Sequence, residues 1–287
     1  MIKINNYSRP DNLEMALELM STGEFTPLAG GTDLLIIMRD KKPRSILDLG
    51  GLRLNYIVDQ GDTIEILAAT THDSMASNDI IKLSFPSLAK ASSLVGSQQI
   101  RNRGTIGGNI VNASPCADTV PALLLYDAQL KLLSKKGQRI IPLPEFITES
   151  YKTIINFDEI VYSIICRKPS KAHVWYYMKL GRRQAVNISR MTLAVSYEIE
   201  NDKIIDSRIS AGSVFPKSSR IPEIESMLNN QTISEELFNA AGSKAAELMI
   251  RESGRRWSTP YKDPVLRGLL ARSLRRAAES SGKRFDE

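Results

Sequence analysis

The stretch spanning residues 100–125, IRNRGTIGGNIVNASPCADTVPALLL, restricts this chain most. A basic lead-in, a Thr-Ile-Gly-Gly-Asn turn and an apolar run follow one another there. Paired glycines let the backbone approach a ligand, because no Cβ stands in the way. Asn109, Asn112, Ser114 and Asp118 place amide, hydroxyl and carboxylate groups around the turn. A helix opening near Asp118 would carry Val120, Leu123, Leu124 and Leu125 into a core. Polar groups on a short irregular segment, braced by packed structure, are a common way to build a cofactor site. Taken alone, the segment reads equally as a glycine-rich link between strand and helix.

A second segment narrows the choice: Pro27-Leu28-Ala29-Gly30-Gly31-Thr32-Asp33-Leu34-Leu35. Both segments enter a helix-like apolar run, and both follow the glycines with Thr, Asn or Asp. The pair points to a shared anionic ligand. A strand that ends in two glycines before a helix leaves N–H groups unpaired, and with the helix dipole these favour a phosphate. The alternative is a tight turn in which Thr32 or Asp33 caps the helix. Neither GxGxxG nor GKS/GKT occurs here, so the loop is neither a Rossmann fingerprint nor a Walker A loop.

The pair AGGTDLL and IRNRGTIGGN…A…D resembles the FAD-binding medium subunit of the molybdenum hydroxylases, the group of xanthine, carbon monoxide and nicotinate dehydrogenases. The likeness extends over nearly the whole chain, through Lys179-Leu180-Gly181-Arg182-Arg183 to a C-terminal Tyr261…Arg267 helix. It implies an α+β fold: a two-subdomain FAD-binding domain of the vanillyl-alcohol-oxidase type, then a C-terminal α+β domain. The divisions expected are residues 1–55, 56–170 and 171–287, with FAD between the first two. The resemblance implies that Thr26, Pro27, Leu28, Ala29, Gly30, Gly31, Thr32, Asp33 and Leu34 wrap the FAD pyrophosphate. It implies further FAD contacts from Thr105, Ile106, Gly107, Gly108, Asn109, Asn112 and Asp118. Val161 falls on an apolar contact position, and Lys179 on one near the isoalloxazine, where a cation would stabilise the reduced anionic flavin. Each has a plainer reading: Asp118 as a helix cap, Val161 as ordinary core, Lys179 as a surface lysine on a strand. Arg101 and Arg103 either balance phosphate charge or face solvent. Asn187 stands where the family commonly has Asp, which removes a charge that could pair with Arg182 or Arg183.

The resemblance also implies partners: a molybdopterin-binding large subunit, a small subunit with [2Fe-2S] clusters, and NAD, a quinone or another acceptor. Catalytic side chains and metal ligands are not expected in this chain. No Ser-His-Asp, Cys-His or paired-carboxylate arrangement is evident, which suits a protein whose cofactor carries the redox chemistry. Two other readings stand beside this one: a free-standing FAD-dependent oxidoreductase with its own acid or base, and a non-catalytic ligand-binding protein on the same fold.

Composition excludes several classes. At 287 residues, with 42% apolar and 24% charged residues, the chain can bury a sizeable core. Cys116 and Cys166 stand alone, and His72 and His173 are far apart, so neither a cluster nor a metal site is expected from spacing. The net charge of +6 gathers toward the C-terminus without an aromatic-basic ladder, which argues for a solvated helix face or a docking surface for an acidic partner subunit rather than nucleic acid. No apolar run of membrane length and no secretory signal is present, so a cytoplasmic location without a membrane span is expected. Along the chain, an α/β unit is expected over 2–49, with Asp11 opening its first helix, Glu14 as a possible capping box and a short strand at Phe25–Leu28. Strands and helices follow over 56–166. After 170 come three antiparallel strands, the last two joined by a turn at Asn201-Asp202, and three helices, the second capped by Ser234.

Overall fold

The computed structural model describes residues 4–38, 44–169, 173–183, 186–283 and 285. The chain opens as a small α/β unit: β1 Ile4–Ser8, α1 Leu13–Ser21, β2 Phe25–Leu28, α2 Leu34–Ile37 and β3 Arg44–Asp48. The strands lie in the order β1-β3-β2 and every pairing is parallel. Helix α1 was expected to open at Asp11 with Glu14 closing a capping box. The cap is Asn12 instead, its side chain accepting from the Met15 N–H at 2.9 Å. Ala16 and Met20 of α1 pack on Leu47 of β3, as the helical spacing of the apolar residues demands.

A second unit follows: β4 Ile57–Asp59, β5 Thr63–Leu67, α3 His72–Ser77, α4 Asp79–Ser84, α5 Pro86–Ser93, α6 Gln98–Arg101, α7 Ile106–Asn112 and α8 Thr119–Leu125. It continues through β6 Gln129–Ser134, β7 Gly137–Pro142, α9 Leu143–Phe146, the short pair β8 Ile147–Glu149 and β9 Lys152–Thr153, and β10 Ile160–Arg167. Its five strands run antiparallel in the order β4-β5-β10-β6-β7. Inward residues Ile64, Ile66, Leu130, Leu132 and Ile164 meet Leu88 of α5 and Leu123 of α8 in one core.

The third unit is the antiparallel sheet β11 His173–Leu180, β12 Met191–Glu200, β13 Lys203–Gly212 and β14 Ser219–Arg220. Helices α10 Pro222–Leu228, α11 Glu235–Ser253 and α12 Thr259–Glu279 cover it. The turn read at Asn201-Asp202 is there, both residues having positive φ (48° and 64°). Ser234 caps α11 as its position suggested, accepting from the Leu237 N–H. The mixed α+β architecture therefore stands as expected. No helix is long and apolar enough to cross a membrane among the described residues.

Candidate functional site

Both glycine motifs face one cavity of about 350 Å³. Its first wall is the loop between β2 and α2. Its second comprises residues 68–72, which lead from β5 into α3, together with Gly104 and the first turns of α7. Leu49, Leu54, Ile155, Ile160 and Val161 form an apolar side.

The first loop is built to leave donors free. Gly31 has φ +73°, a left-handed conformation that side chains resist. The N–H groups of Gly30, Gly31, Thr32 and Asp33 meet no acceptor among the described residues, and all four residues line the cavity. Successive free N–H groups of this kind form a concavity for anions. Asp33 occupies the cap position of α2 but makes no capping hydrogen bond, so the capping alternative does not explain it. Gly30 serves a different end. A Cβ there would lie 1.9 Å from the Arg103 carbonyl oxygen, so the bare backbone is what lets the two motifs touch.

The second motif departs from expectation. Residues 106–112 are not an irregular turn but helix α7, capped by Thr105, whose side chain accepts from the Gly108 N–H at 3.2 Å. Its leading N–H groups are already engaged: Ile106 with the Thr70 carbonyl at 3.0 Å, Gly107 with that of Ala68 at 2.9 Å and Asn109 with that of Thr105 at 2.9 Å. Gly107 is small because Ala68 presses on it, a Cβ there falling 2.6 Å from the Ala68 Cβ. Gly108, by contrast, is exposed and has only the Thr105 hydroxyl near its missing Cβ, so it presents an open face to the cavity. Asn109 accepts from the Thr119 hydroxyl at 2.7 Å, and Asn112 is half-buried in the lining.

Thus Thr26, Pro27, Ala29, Gly30, Gly31, Thr32, Asp33, Leu34, Thr105, Gly107, Gly108, Asn109, Asn112 and Val161 line one cavity. Four residues expected with them do not. Leu28 packs beside Gly31, and Ile106 is wholly buried in the core. Asp118 and Lys179 are joined to each other: Lys179 Nζ lies 2.6 Å from Asp118 Oδ2, with only 5% and 7% of the two side chains exposed. Asp118 sits at the head of α8 yet makes no cap bond with its carboxylate. Its other oxygen accepts from the Ser189 hydroxyl, while Lys179 also donates to the Leu94 carbonyl at 2.8 Å. Burial pushes the Asp118 carboxyl up, against the opposing pull of Lys179 and Ser189. So Lys179 is neither a surface lysine nor a lone cation. It straps β11 to α8 and to residue 94, and it borders a neighbouring hollow of about 840 Å³ shared with Arg101, Arg182 and Arg183. Arg101 binds the Val95 and Gly96 carbonyls at 3.1 and 3.3 Å and is a strap within its own loop.

Two side chains in the cavity lay outside the motifs. His72 is almost wholly buried, and its Nδ1 has no hydrogen-bond partner. Burial, helped by the Arg101 charge, lowers its pKa to about 4, so the ring is neutral at pH 7. Glu159 takes two hydrogen bonds from Arg139, at 2.6 and 2.7 Å, and one from the Asn156 N–H. Burial resists its ionisation, but these donors hold the carboxyl below the usual range. No lysine or arginine lines the cavity among the described residues. A bound anion would therefore be met by main-chain N–H groups, the chemistry a pyrophosphate suits.

Fold and cavity together define a nucleotide-cofactor chain of three units with a main-chain anion cradle. Residues 2–166 match the profile described as "FAD binding domain in molybdopterin dehydrogenase", and residues 175–277 match "CO dehydrogenase flavoprotein C-terminal domain". The chain belongs to this family, the FAD-binding medium subunits of the molybdenum hydroxylases. It is 28% identical to the nicotine 6-hydroxylase medium subunit of Paenarthrobacter nicotinovorans, over 93% of this chain and 95% of that one. It is 29% identical to the glyceraldehyde dehydrogenase medium chain of Sulfolobus acidocaldarius, over 95% and 98%. Among solved structures, carbon monoxide dehydrogenase from Hydrogenophaga pseudoflava superposes with a TM-score of 0.88 at 26% identity, covering 97% of this chain and 99% of that one. The chain is accordingly an FAD-dependent oxidoreductase subunit of a multi-subunit enzyme.

Proposed function

We propose that this chain seats FAD in the glycine-lined cavity and relays electrons from [2Fe-2S] clusters of a small partner subunit to NAD or another acceptor. The holoenzyme's substrate would be oxidised on a molybdopterin-bearing large subunit. FAD, when bound, supplies the electron-carrying chemistry. The observation that carries this reading is the row of four N–H groups at Gly30–Asp33, in residues that line the cavity, with no acceptor and no lysine or arginine in the lining among the described residues. In this arrangement the Gly30–Asp33 row would hold the pyrophosphate, exposed Gly108 would border the bound cofactor, and Val161 with its apolar neighbours would offer a surface to a ring. The buried Asp118–Lys179 pair ties β11 to the head of α8.

A free-standing oxidase would need an acid or base tuned to the flavin. Asp33, His72 and Glu159 are the titratable side chains of the lining among the described residues. Glu159 is locked to Arg139 and His72 is neutral and deep, which leaves Asp33, whose carboxyl burial pushes up, as the one lining group able to serve as acid or base among the described residues. Two cysteines left as free thiols suit a cytoplasmic location.

The test is the absorption spectrum of the purified chain, followed by acid release and identification of its chromophore. One FAD per chain is expected. A chain that stays colourless with excess FAD, alone and when co-expressed with its partner subunits, would sink the proposal.

A further inference from the structure

The first residue of β11, His173, stands directly opposite Glu198 of β12. On the other side of β12 the register with β13 slips between Ser196 and Glu198. Ser196 faces Arg208 and Glu198 faces Ile205, so Asp206 and Ser207 together oppose one residue. This is a β-bulge, and Asp206 within it has φ 43°. The bulge brings a third chemistry-bearing side chain to the His173 edge. His173 Nε2 lies 3.6 Å from Glu198 Oε1 and 3.4 Å from Asp206 Oδ2. The three candidate donor atoms all fall within 4.8 Å of one another.

Nε2 is the telling atom. The His173 side chain is only 4% exposed, and Nε2 makes no hydrogen bond. Nδ1 is engaged, 2.6 Å from the Ser196 hydroxyl. If Nδ1 carries the proton and donates to Ser196, the Nε2 lone pair faces two carboxylates. That arrangement repels, and a cation among the three would offset the repulsion beyond what Arg208, which lies against Asp206, supplies. Engagement of the remote ring nitrogen is also how metal-bound histidines are held in orientation.

We propose that His173, Glu198 and Asp206 bind one divalent transition-metal ion, Zn²⁺ by preference, at the edge of the third sheet. Donors bound at about 2.1 Å to one tetrahedral ion stand roughly 3.4 Å apart, close to the two separations seen here. An imidazole donor selects against Ca²⁺ and Mg²⁺, which take oxygen ligands. Burial, with the nearby Arg208 charge, holds the His173 pKa below its ordinary value despite Asp206 and Glu198, and the neutral ring is the metal-binding form. Arg208 Nη2 and Nε lie 3.0 and 3.1 Å from Asp206 Oδ2. They hold the same oxygen that faces Nε2, and Arg208 also pairs with Asp127 at 2.9 Å, so a bound ion would share that oxygen with Arg208 or take the other one. Asp206 is half-exposed, which leaves room for a water as fourth ligand. About 20 Å of strand separates this edge from Lys179, so the metal would staple three strands and take no part in flavin chemistry.

The full-length chain, purified without a histidine tag and stripped by chelator, is titrated with Zn²⁺ against a chromogenic indicator. One equivalent held by the wild type is expected. Glu198→Gln and Asp206→Asn should each weaken binding at least about tenfold, and Ser196→Ala by about tenfold through loss of orientation. His173→Gln should abolish it. Should His173→Gln fail to fold, the two carboxylate variants, checked by circular dichroism, decide alone. Absence of competitive Zn²⁺ binding by the wild type would overturn the site and leave a proton-only cluster. Equal binding by wild type and all variants would overturn it too, by placing the ion elsewhere.

Discussion

The neutral, buried state of His72 fixes a pH dependence that can be worked out in advance. Its folded pKa is about 4, against an ordinary 6.5. Between those values the unfolded chain takes up a proton that the folded chain refuses. The resulting stabilisation is fully present above 6.5 and is lost as pH falls toward 4. At pH 5 the unfolded histidine is almost fully charged while about a tenth of the folded one is. With each pKa step equal to 1.36 kcal/mol, the folded state gives up about 2 kcal/mol between pH 7 and pH 5 through this side chain. His72→Phe removes the titration, fills similar space and breaks no bond at Nδ1, which has none. Urea unfolding of the FAD-free chain at pH 7 and pH 5 measures the effect as a difference of differences, so other groups that titrate in both proteins cancel. The wild type should lose about 2 kcal/mol more than the variant over that interval. Parallel losses in both proteins would refute the reasoning and mean that His72 is hydrated or paired when folded.

The two glycines that face opposite ways should answer differently to substitution. Gly30→Ala drives a Cβ into the Arg103 carbonyl, so both stability (by roughly 1–3 kcal/mol) and FAD affinity should fall, measured by denaturation and flavin fluorescence. Gly108→Val fills the open side of the cavity, so FAD affinity should drop at least about tenfold while unfolding shifts by no more than the loss of the Thr105 cap, about 1 kcal/mol. Lys179→Met strands a buried carboxylate at Asp118 and should destabilise by about 3–5 kcal/mol; adding Asp118→Asn should recover a large part of that, read from a double-mutant cycle in urea. Burial pushes the Cys166 thiol far up, so a thiol reagent should leave it unmodified in the native chain at pH 8 while labelling it after unfolding.

Much of the fold was legible because its elements are carried by local pattern. The Phe25–Leu28 strand, the alternating strands β6 and β7 and the three long strands of the last sheet follow from apolar periodicity and turn residues. Misses cluster where one residue decides. Asn12 displaced Asp11 as the cap of α1, both being good caps one position apart. Helix α7 was hidden by its own glycines, which lower helix propensity. Thr105 as cap, the Thr70 and Ala68 carbonyls beneath and the core packing of Ile106 and Ile110 outweigh that loss. These partners lie some 35 residues upstream, and no local reading could supply them. Asp118 and Lys179 were read as separate FAD contacts, but 61 positions separate them, and their pairing appears only when β11 lies across the head of α8.

The cavity also shows why glycine spacing alone leaves a cofactor site half specified. Of the four motif glycines, Gly30 and Gly107 are small for the sake of protein backbone, Gly31 for its dihedral angle, and Gly108 for the Thr105 cap, whose hydroxyl would lie 2.9 Å from a Cβ there. The first two make the β2–α2 loop and the 104–109 segment rest on each other through main chain. The Gly104 carbonyl accepts from the His72 N–H at 3.0 Å and locks the same contact from behind. The anion cradle belongs to the first unit and the open glycine to the second, so neither unit holds a complete site. A ligand that bridges them gains only if the joint is already rigid, since ordering two mobile walls would cost conformational entropy on binding. If the Gly30–Asp33 row holds the phosphates, the contact between Gly30 and Arg103 contributes to cofactor affinity by keeping the two motifs together.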